Sequence, residues 1–355
     1  MMGTRRRIAT WNVCWFTALF DQDNNLQLDD GWSAMHDITR ARQADAIAAV
    51  LRRIDADLFC IIEAPDTGSK RSSVTALERF SAQFGLRQSR ALTGFQSGTE
   101  QEITLLFDPA VFSAEHRPLG QPLDPEAADL STNWREAPRF DSSFPLDLDG
   151  DGEIDLHRFS KPPLEADVTD LTSGRVFRMI GVHAKSKAPH GAETPEAVQK
   201  ISLRNRRKQL AQCAWLRERI DDHFDRGDDV MVLGDFNDGP GQDKYERVFG
   251  RSGVEIVMGS VADPDRILRN PFGRRGKPPY SDRPSTARFY NRDTKTYLNA
   301  LLDFIMLTPG FADPSAPDWR IWHPFNDQEC FDDTGLKSDL LSASDHFPVS
   351  IDLTL

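Results

Sequence analysis

A chain of 355 residues, 39% hydrophobic and 28% charged, has the composition of a globular protein with ample material for a core, which excludes a disordered or fibrous one. The formal net charge of −12 argues against a protein that coats nucleic acid through a broad basic surface, but leaves room for a nuclease with local contacts and an acidic metal site. The start, "MMGTRRRIATWNVCWF", has no continuous apolar leader stretch and no run reaches membrane-spanning length, so the chain reads as cytoplasmic, with no protein partner implied.

In chain order, "RRIATWNV" and "DLFCIIEA" read as strands. Between them "RARQADAIAAVLRRI" puts Ala44, Ile47, Ala48, Leu51 and Ile54 on one helical face, giving a β-α-β opening. "EITLLFDP", "LEADVTDL" and "VFRMIGVHA" add strands, and "PEAVQKISLRNRRKQLAQCAWLRERIDDHF" runs as a long helix into the strand "DVMVLGDF". The last third supplies "LNALLDFIMLTP", "WRIWHPF" and "FPVSIDLTL". Strands separated by helices on a long chain predict an α/β layered fold with sheets buried between helices.

Two segments interrupt the pattern. Residues 119–167 are acidic and proline-rich; residues 264–284 hold five Arg and one Lys against two Asp, a local excess of +4. Both read as surface insertions on one body spanning 1–355, because strand material on either side is needed to complete the sheets. Cys14, Cys60, Cys213 and Cys330 lie far apart with no paired metal-binding spacing, which reads as reduced, packed thiols.

Within the acidic segment, "FPLDLDGDGEIDLHRF" places Asp147, Asp149 and Asp151 at the first, third and fifth positions of a calcium loop. Gly152 follows at the sixth, the Glu153 carbonyl at the seventh and Asp155 at the ninth. Arg158 stands where a bidentate Glu is expected, and Pro145 disfavours an entering helix. A second site for Ca2+ and a solvated acidic turn both remain open.

Six motifs put a polar residue at the end of, or inside, an apolar strand, where open α/β sheets place ligand sites. They are "ATWNV" (Asn12), "CIIEA" (Glu63), "GVHAKSK" (His183), "VLGDFND" (Asp235, Asn237), "LLDFIML" (Asp303) and "SASDHFPV" (Asp345, His346). Each alone suits a cap, a core histidine or a buried ion pair. Together they need a shared reason, since unpaired buried carboxylates are costly, and a hard cation is such a reason.

The set, in the order "WN", "E", "H", "GDFN", "D" and terminal "SDH", resembles the endonuclease/exonuclease/phosphatase superfamily, the deoxyribonuclease I-like proteins, along nearly the whole chain. "VHAKSK" is similar to the corresponding region of bacterial extracellular nucleases. The resemblance implies a four-layer sandwich of two mixed β-sheets flanked by helices, with the site at one rim. It also implies divalent-metal phosphoester hydrolysis, most simply by a nuclease or small phosphodiesterase.

On that reading Glu63, with Asn12 and with Asp345 directly or through water, holds Mg2+ or Mn2+. Asp235 takes a proton from water while Asn237 fixes the water or a phosphate oxygen. Asp303 orients His346, which either contacts the phosphate or serves as base. His183 donates to the phosphate, and Lys185 and Lys187 either add local positive charge or are solvated. The substrate stays open among DNA, another phosphodiester, a phosphomonoester and a sphingomyelin-like lipid, as does a non-catalytic phosphate-binding module. The basic segment with Tyr290 and Tyr297 is either a phosphate-backbone contact or a solvated loop.

Overall fold

Period-two alternation along the strands decides the architecture. The structure, a computed structural model, describes residues 3–123, 135–148, 150, 152–189, 191–240, 250–273, 284–291 and 295–355. β1 (Arg5–Asn12) and β2 (Leu58–Ala64) run parallel, joined by α1 (Arg40–Ile54), which is the expected β-α-β opening. Thr39 starts α1 by accepting the Arg42 N–H, and Asp55 ends it in the left-handed region at φ 49. All five predicted apolar positions of α1 are buried.

There follow α2 (Ser73–Phe84), β3 (Arg90–Thr93), β4 (Glu102–Phe107) and β5 (Phe112–His116); then the hairpin of β6 (Phe144–Leu146) and β7 (Asp155–His157). β8 (Leu164–Asp170), β9 (Val176–His183), α3 (Pro195–Arg226), β10 (Val230–Asp235) and α4 (Gly253–Met258) lead to a second hairpin, β11 (Ala287–Asn291) with β12 (Thr296–Ala300). The chain closes with β13 (Asp303–Leu307), α5 (Pro309–Ser315), β14 (Asp318–Ile321), α6 (Gln328–Asp332), α7 (Thr334–Ala343) and β15 (Val349–Thr354). Among the described residues one sheet has the order β14-β15-β1-β2-β4-β3 and the other β13-β10-β9-β8-β5. Both are mixed, with β1 and β2 parallel in the first and β9 and β10 parallel in the second.

Alternate residues of each strand go to different cores. Ile8, Leu58, Cys60 and Leu105 meet Met179, Leu233 and Ile305 between the sheets. Trp11, Phe59 and Ile61 point the other way, onto α1, α2 and α7, whereas Val182, Val232 and Phe304 face α3 and α4. The result is helix, sheet, sheet, helix, the four layers implied by the resemblance. At Gly181 a Cβ would lie 2.8 Å from Ile103 and 2.9 Å from Cys60, so glycine there lets the sheets close on one another. No helix among the described residues is long and apolar enough to cross a membrane.

The described parts of the acidic segment are packed. Phe140, Phe144 and Phe159 surround Trp215 of α3 at ring-centroid distances of 5.5, 5.3 and 5.2 Å, and the Trp215 indole N–H donates to the Pro138 carbonyl at 2.8 Å. In the calcium-loop motif Pro145 lies in β6 opposite Leu156, and Asp147 accepts the N–H groups of Gly150 and Gly152 at 2.7 and 3.0 Å. Asp149 and Asp151 lie outside the described residues, as do 124–134 of the acidic segment and 274–283 of the basic one. All four cysteines are free. The run "LNALLDFIMLTP" is not one strand: the Thr286 hydroxyl accepts from Leu302 N–H and Asp303 N–H, separating β12 from β13.

Gly234, the penultimate residue of β10, has φ 134, and a Cβ there would sit 2.1 Å from the Val182 carbonyl oxygen of the paired strand. Backbone cannot yield as a side chain does. Gly234→Ala is therefore expected to lose roughly 2–4 kcal/mol, read as a lower urea midpoint at unchanged m-value. An unchanged midpoint would show that the strand end relaxes.

Candidate active site

Three adjacent strands end side by side. His183 of β9 is in register with Asp235 of β10, which is in register with Asp303 of β13. Their parity is that of Met179, Leu233 and Ile305, so this polar row closes one end of the inter-sheet core. From the facing sheet come Asn12, the last residue of β1, and Glu63, which sits at a register shift in β2 with φ 59. Such a bulge re-aims one side chain without disturbing the rest of the strand.

The groups converge. The Asn12 amide donates to Asp235 Oδ2 at 3.0 Å and to Glu63 Oε1 at 3.4 Å, while its oxygen accepts the Cys14 N–H. Trp15 N–H donates to Glu63 Oε2 at 2.8 Å. Asp235 Oδ1 accepts the Asn237 N–H at 2.7 Å, and the Asn237 amide holds Asp235 Oδ2 and the Ala184 carbonyl at 3.2 and 3.0 Å. His183 Nε2 is 3.6 Å from Asp235 Oδ2 and 4.0 Å from Glu63 Oε1. His346 Nδ1 lies 2.8 Å from Asp303 Oδ2.

Asp345 is partly exposed. Burial, and after it the nearby charges of Asp345 and Glu63, push the Cys14 thiol well above its ordinary range. Non-glycine residues with positive φ gather here: Cys14, Trp15, Glu63 and Asn237 at 23, 53, 59 and 51°. Backbone strain of that kind persists only where the surroundings impose it.

Electrostatics separate the groups. Burial, reinforced by the neighbouring Asp303 charge, pushes Asp235 up to about 7. Burial works against charge on His346, yet the Asp303 carboxylate prevails and raises it to about 10. His183 goes the other way: burial and then the positive charge of Lys161 push it well below its ordinary value, so its imidazole is neutral.

Lys161 is absent from the sequence reading. Its ammonium lies 3.2 Å from His183 Nε2 and within the fields of Glu63 and Asp235, although burial lowers its pKa. An ammonium only donates, so His183 Nε2 must accept, which puts the imidazole proton on Nδ1, where no partner stands among the described residues. Lys161 comes from the acidic segment, just before β8. Nothing in "FSKPPLEAD" distinguishes it beyond a lysine at the foot of an apolar strand.

Not every expected residue joins the group. Lys187 is ion-paired to buried Asp238 at 2.7 Å. Lys185 stays close enough for its charge to act on His183 and Lys161. Asp147, Glu153 and Asp155 belong to the hairpin of β6 and β7.

A hard cation fits the donors present. Asp235, Asp303 and His346 offer ligand atoms within 4.8 Å of one another, all buried. Asp303 Oδ1 is buried with no hydrogen-bond partner among the described residues, and Glu63 adds a further carboxylate beside Asp235. Oxygen-rich sets of this kind suit Mg2+ or Mn2+.

Comparison with known proteins follows the same lines. Truncated TDP2 of Caenorhabditis elegans is 12% identical with a TM-score of 0.50, over 99% of this chain and 98% of that one, a likeness of fold alone. D. rerio TDP2 complexed with single strand DNA product is 15% identical at a TM-score of 0.48, over 99% of this chain and 100% of that one. The mannosyl-6-phosphatase Bt3783 of Bacteroides thetaiotaomicron is 13% identical at 0.48, over 99% and 100%. No curated protein matches the sequence. The family model for Endonuclease/Exonuclease/phosphatase proteins, in contrast, matches residues 9–346, a span that holds every side chain of the polar row and of the facing strand ends, and the chain belongs to that family.

Proposed function

We propose that the chain hydrolyses phosphodiesters with Mg2+ or Mn2+, as a nuclease or small phosphodiesterase. Family membership supports a phosphoester hydrolase in general. The observation that favours a diester is the charge of the site. Among the described residues Lys161 and the His346 imidazolium, with Lys185 nearby, stand against Glu63, Asp235 and Asp303, a near balance that suits a phosphate with one negative charge better than a monoester dianion or a polyphosphate.

Glu63 and Asp345, with Asn12 once its amide turns its oxygen inward, would hold the cation, which when bound supplies Lewis-acid polarisation of a phosphate oxygen. Asp235, Asp303 and His346 are also near enough to hold one, but His346 Nδ1 is already engaged by Asp303, so this group is assigned to proton transfer. Asn237, through its N–H and its amide, fixes both Asp235 oxygens, leaving the carboxylate to take the proton of an attacking water. A base with a pKa near the working pH is the efficient choice, and Asp235 meets that condition better than an imidazole kept protonated by Asp303. His346 then donates to a phosphate oxygen, and Lys161, steadied by neutral His183, neutralises another.

Purified protein should cleave bis(p-nitrophenyl) phosphate or plasmid DNA with Mn2+ and stop on adding EDTA. No turnover on any diester, monoester or lipid of a metal-by-substrate panel would leave a phosphate-binding module in its place. His346→Ala and Lys161→Ala should each lower kcat by about 10²–10³-fold without a matching loss of melting temperature. The pH profile tests the base: Asp235 carries its proton below about 7, so log kcat/KM should climb with pH and level off near that value. A limb still rising towards pH 10 would transfer the role to His346.

A further inference from the structure

The hairpin of β11 and β12 belongs to neither sheet and has no part in the hydrolytic scheme, yet it is rooted on the site. Ala287 bridges His346, the Arg288 N–H donates to the Asp345 carbonyl at 2.8 Å, and the Phe347 N–H donates to the Thr286 carbonyl at 2.6 Å. The Phe289 ring meets the His346 imidazole nearly edge-on at 5.5 Å.

Alternation then sorts the side chains. Arg288 and Tyr290 share a face with Asn299 and Tyr297, their partners across the hairpin. Tyr290 and Tyr297 are 52% and 54% exposed, with rings 5.2 Å apart. The Arg288 guanidinium lies 3.7 Å from the Tyr297 ring centroid and 4.5 Å from that of Phe325, and no carboxylate or carbonyl accepts from it among the described residues. Two exposed tyrosine rings beside a planar cation form a surface that stacks a flat π-system and takes an anion next to it.

We propose that this face is a nucleoside subsite: Tyr290 and Tyr297 stack a base of an unpaired nucleic-acid strand, and Arg288 binds the phosphate adjoining the scissile one. The inference rests on the phosphodiester reading and names its substrate class. A membrane is the poorer occupant, because both tyrosine rings carry a hydroxyl, a cation lies over Tyr297, and the chain's net charge of −12 opposes anionic lipid.

Two measurements test it. Anisotropy of a labelled oligothymidylate in EDTA, where no turnover occurs, should show binding that Tyr290→Ala/Tyr297→Ala weakens roughly ten- to hundredfold. Arg288→Gln should weaken it too and reduce the salt slope by about one. Kinetically, the ratio of kcat/KM for thymidine 5′-(p-nitrophenyl phosphate) to that for methyl p-nitrophenyl phosphate should exceed one in the native protein and fall towards one in the double variant. Equal oligonucleotide binding by native and double-variant proteins of equal melting temperature would overturn the subsite. So would loss, in that variant, of binding to phosphatidylcholine vesicles but not to the oligonucleotide. If neither ester is cleaved but the tyrosines still govern binding, the hydrolase reading fails and the subsite stands; if both are cleaved at a ratio of one, the reverse holds.

Discussion

Asp235 and Asp303 stand opposite one another across β10 and β13, both buried, and two carboxylates so placed cannot both ionise without compensation. The rest of the site is arranged around that pair. His346 gives Asp303 a counter-charge, Asn12 and Asn237 donate to Asp235, and the Lys161 ammonium stands within the field of Asp235 and Glu63. What remains uncompensated is specific: one oxygen of Asp303 and the raised pKa of Asp235. A buried cluster left slightly short of positive charge is a place where a divalent cation and a water to be deprotonated can be held.

The same period-two rule that makes the core makes the site. Inner-face positions are apolar along β9, β10 and β13 until the end residue, where His183, Asp235 and Asp303 take the place of another apolar side chain. Because the sheets face each other, Asn12 and Glu63 arrive at the same end from the opposite side. Rigid strands fix the separation of these groups, and the left-handed backbone at Glu63 and Asn237 supplies local re-aiming that regular strand geometry does not allow.

That logic explains which residues were legible in the sequence. Asn12, Glu63, His183, Asp235 and Asp303 lie in or at the end of otherwise apolar strands, and a polar residue there needs a reason even before its neighbours are known; His346 stands in the "SDH" run just before β15. Lys161 offers no such signal, since it lies in a proline-rich acidic segment whose anchoring depends on Phe140, Phe144 and Phe159 finding Trp215 far along the chain. The hairpin was hidden for a related reason: Leu298 to Leu302 reads as continuous strand, and only the Thr286 hydroxyl, distant in sequence, marks where it breaks. Between local charge and solvation the sequence left Lys187 open, and the acid that engages it, Asp238, is itself part of the "GDFND" motif. Short helices such as α2 and α7 escaped notice although each begins with a side-chain cap, at Ser72 and at Asp333.

The site is thus assembled from two kinds of segment. The sheets carry the groups whose spacing tolerates no drift, and they are held by cores on both faces. The insertion and the hairpin carry Lys161 and the Arg288–tyrosine face, and each is fastened close to the group it serves: Lys161 against His183, and β11 against the backbone of Asp345 and His346. A hairpin with only two strands has little stability of its own, so its attachment to the His346 segment is what gives it a fixed position. That attachment also fixes the Arg288–tyrosine face relative to His346, whose backbone pairs with Ala287 and whose ring meets Phe289.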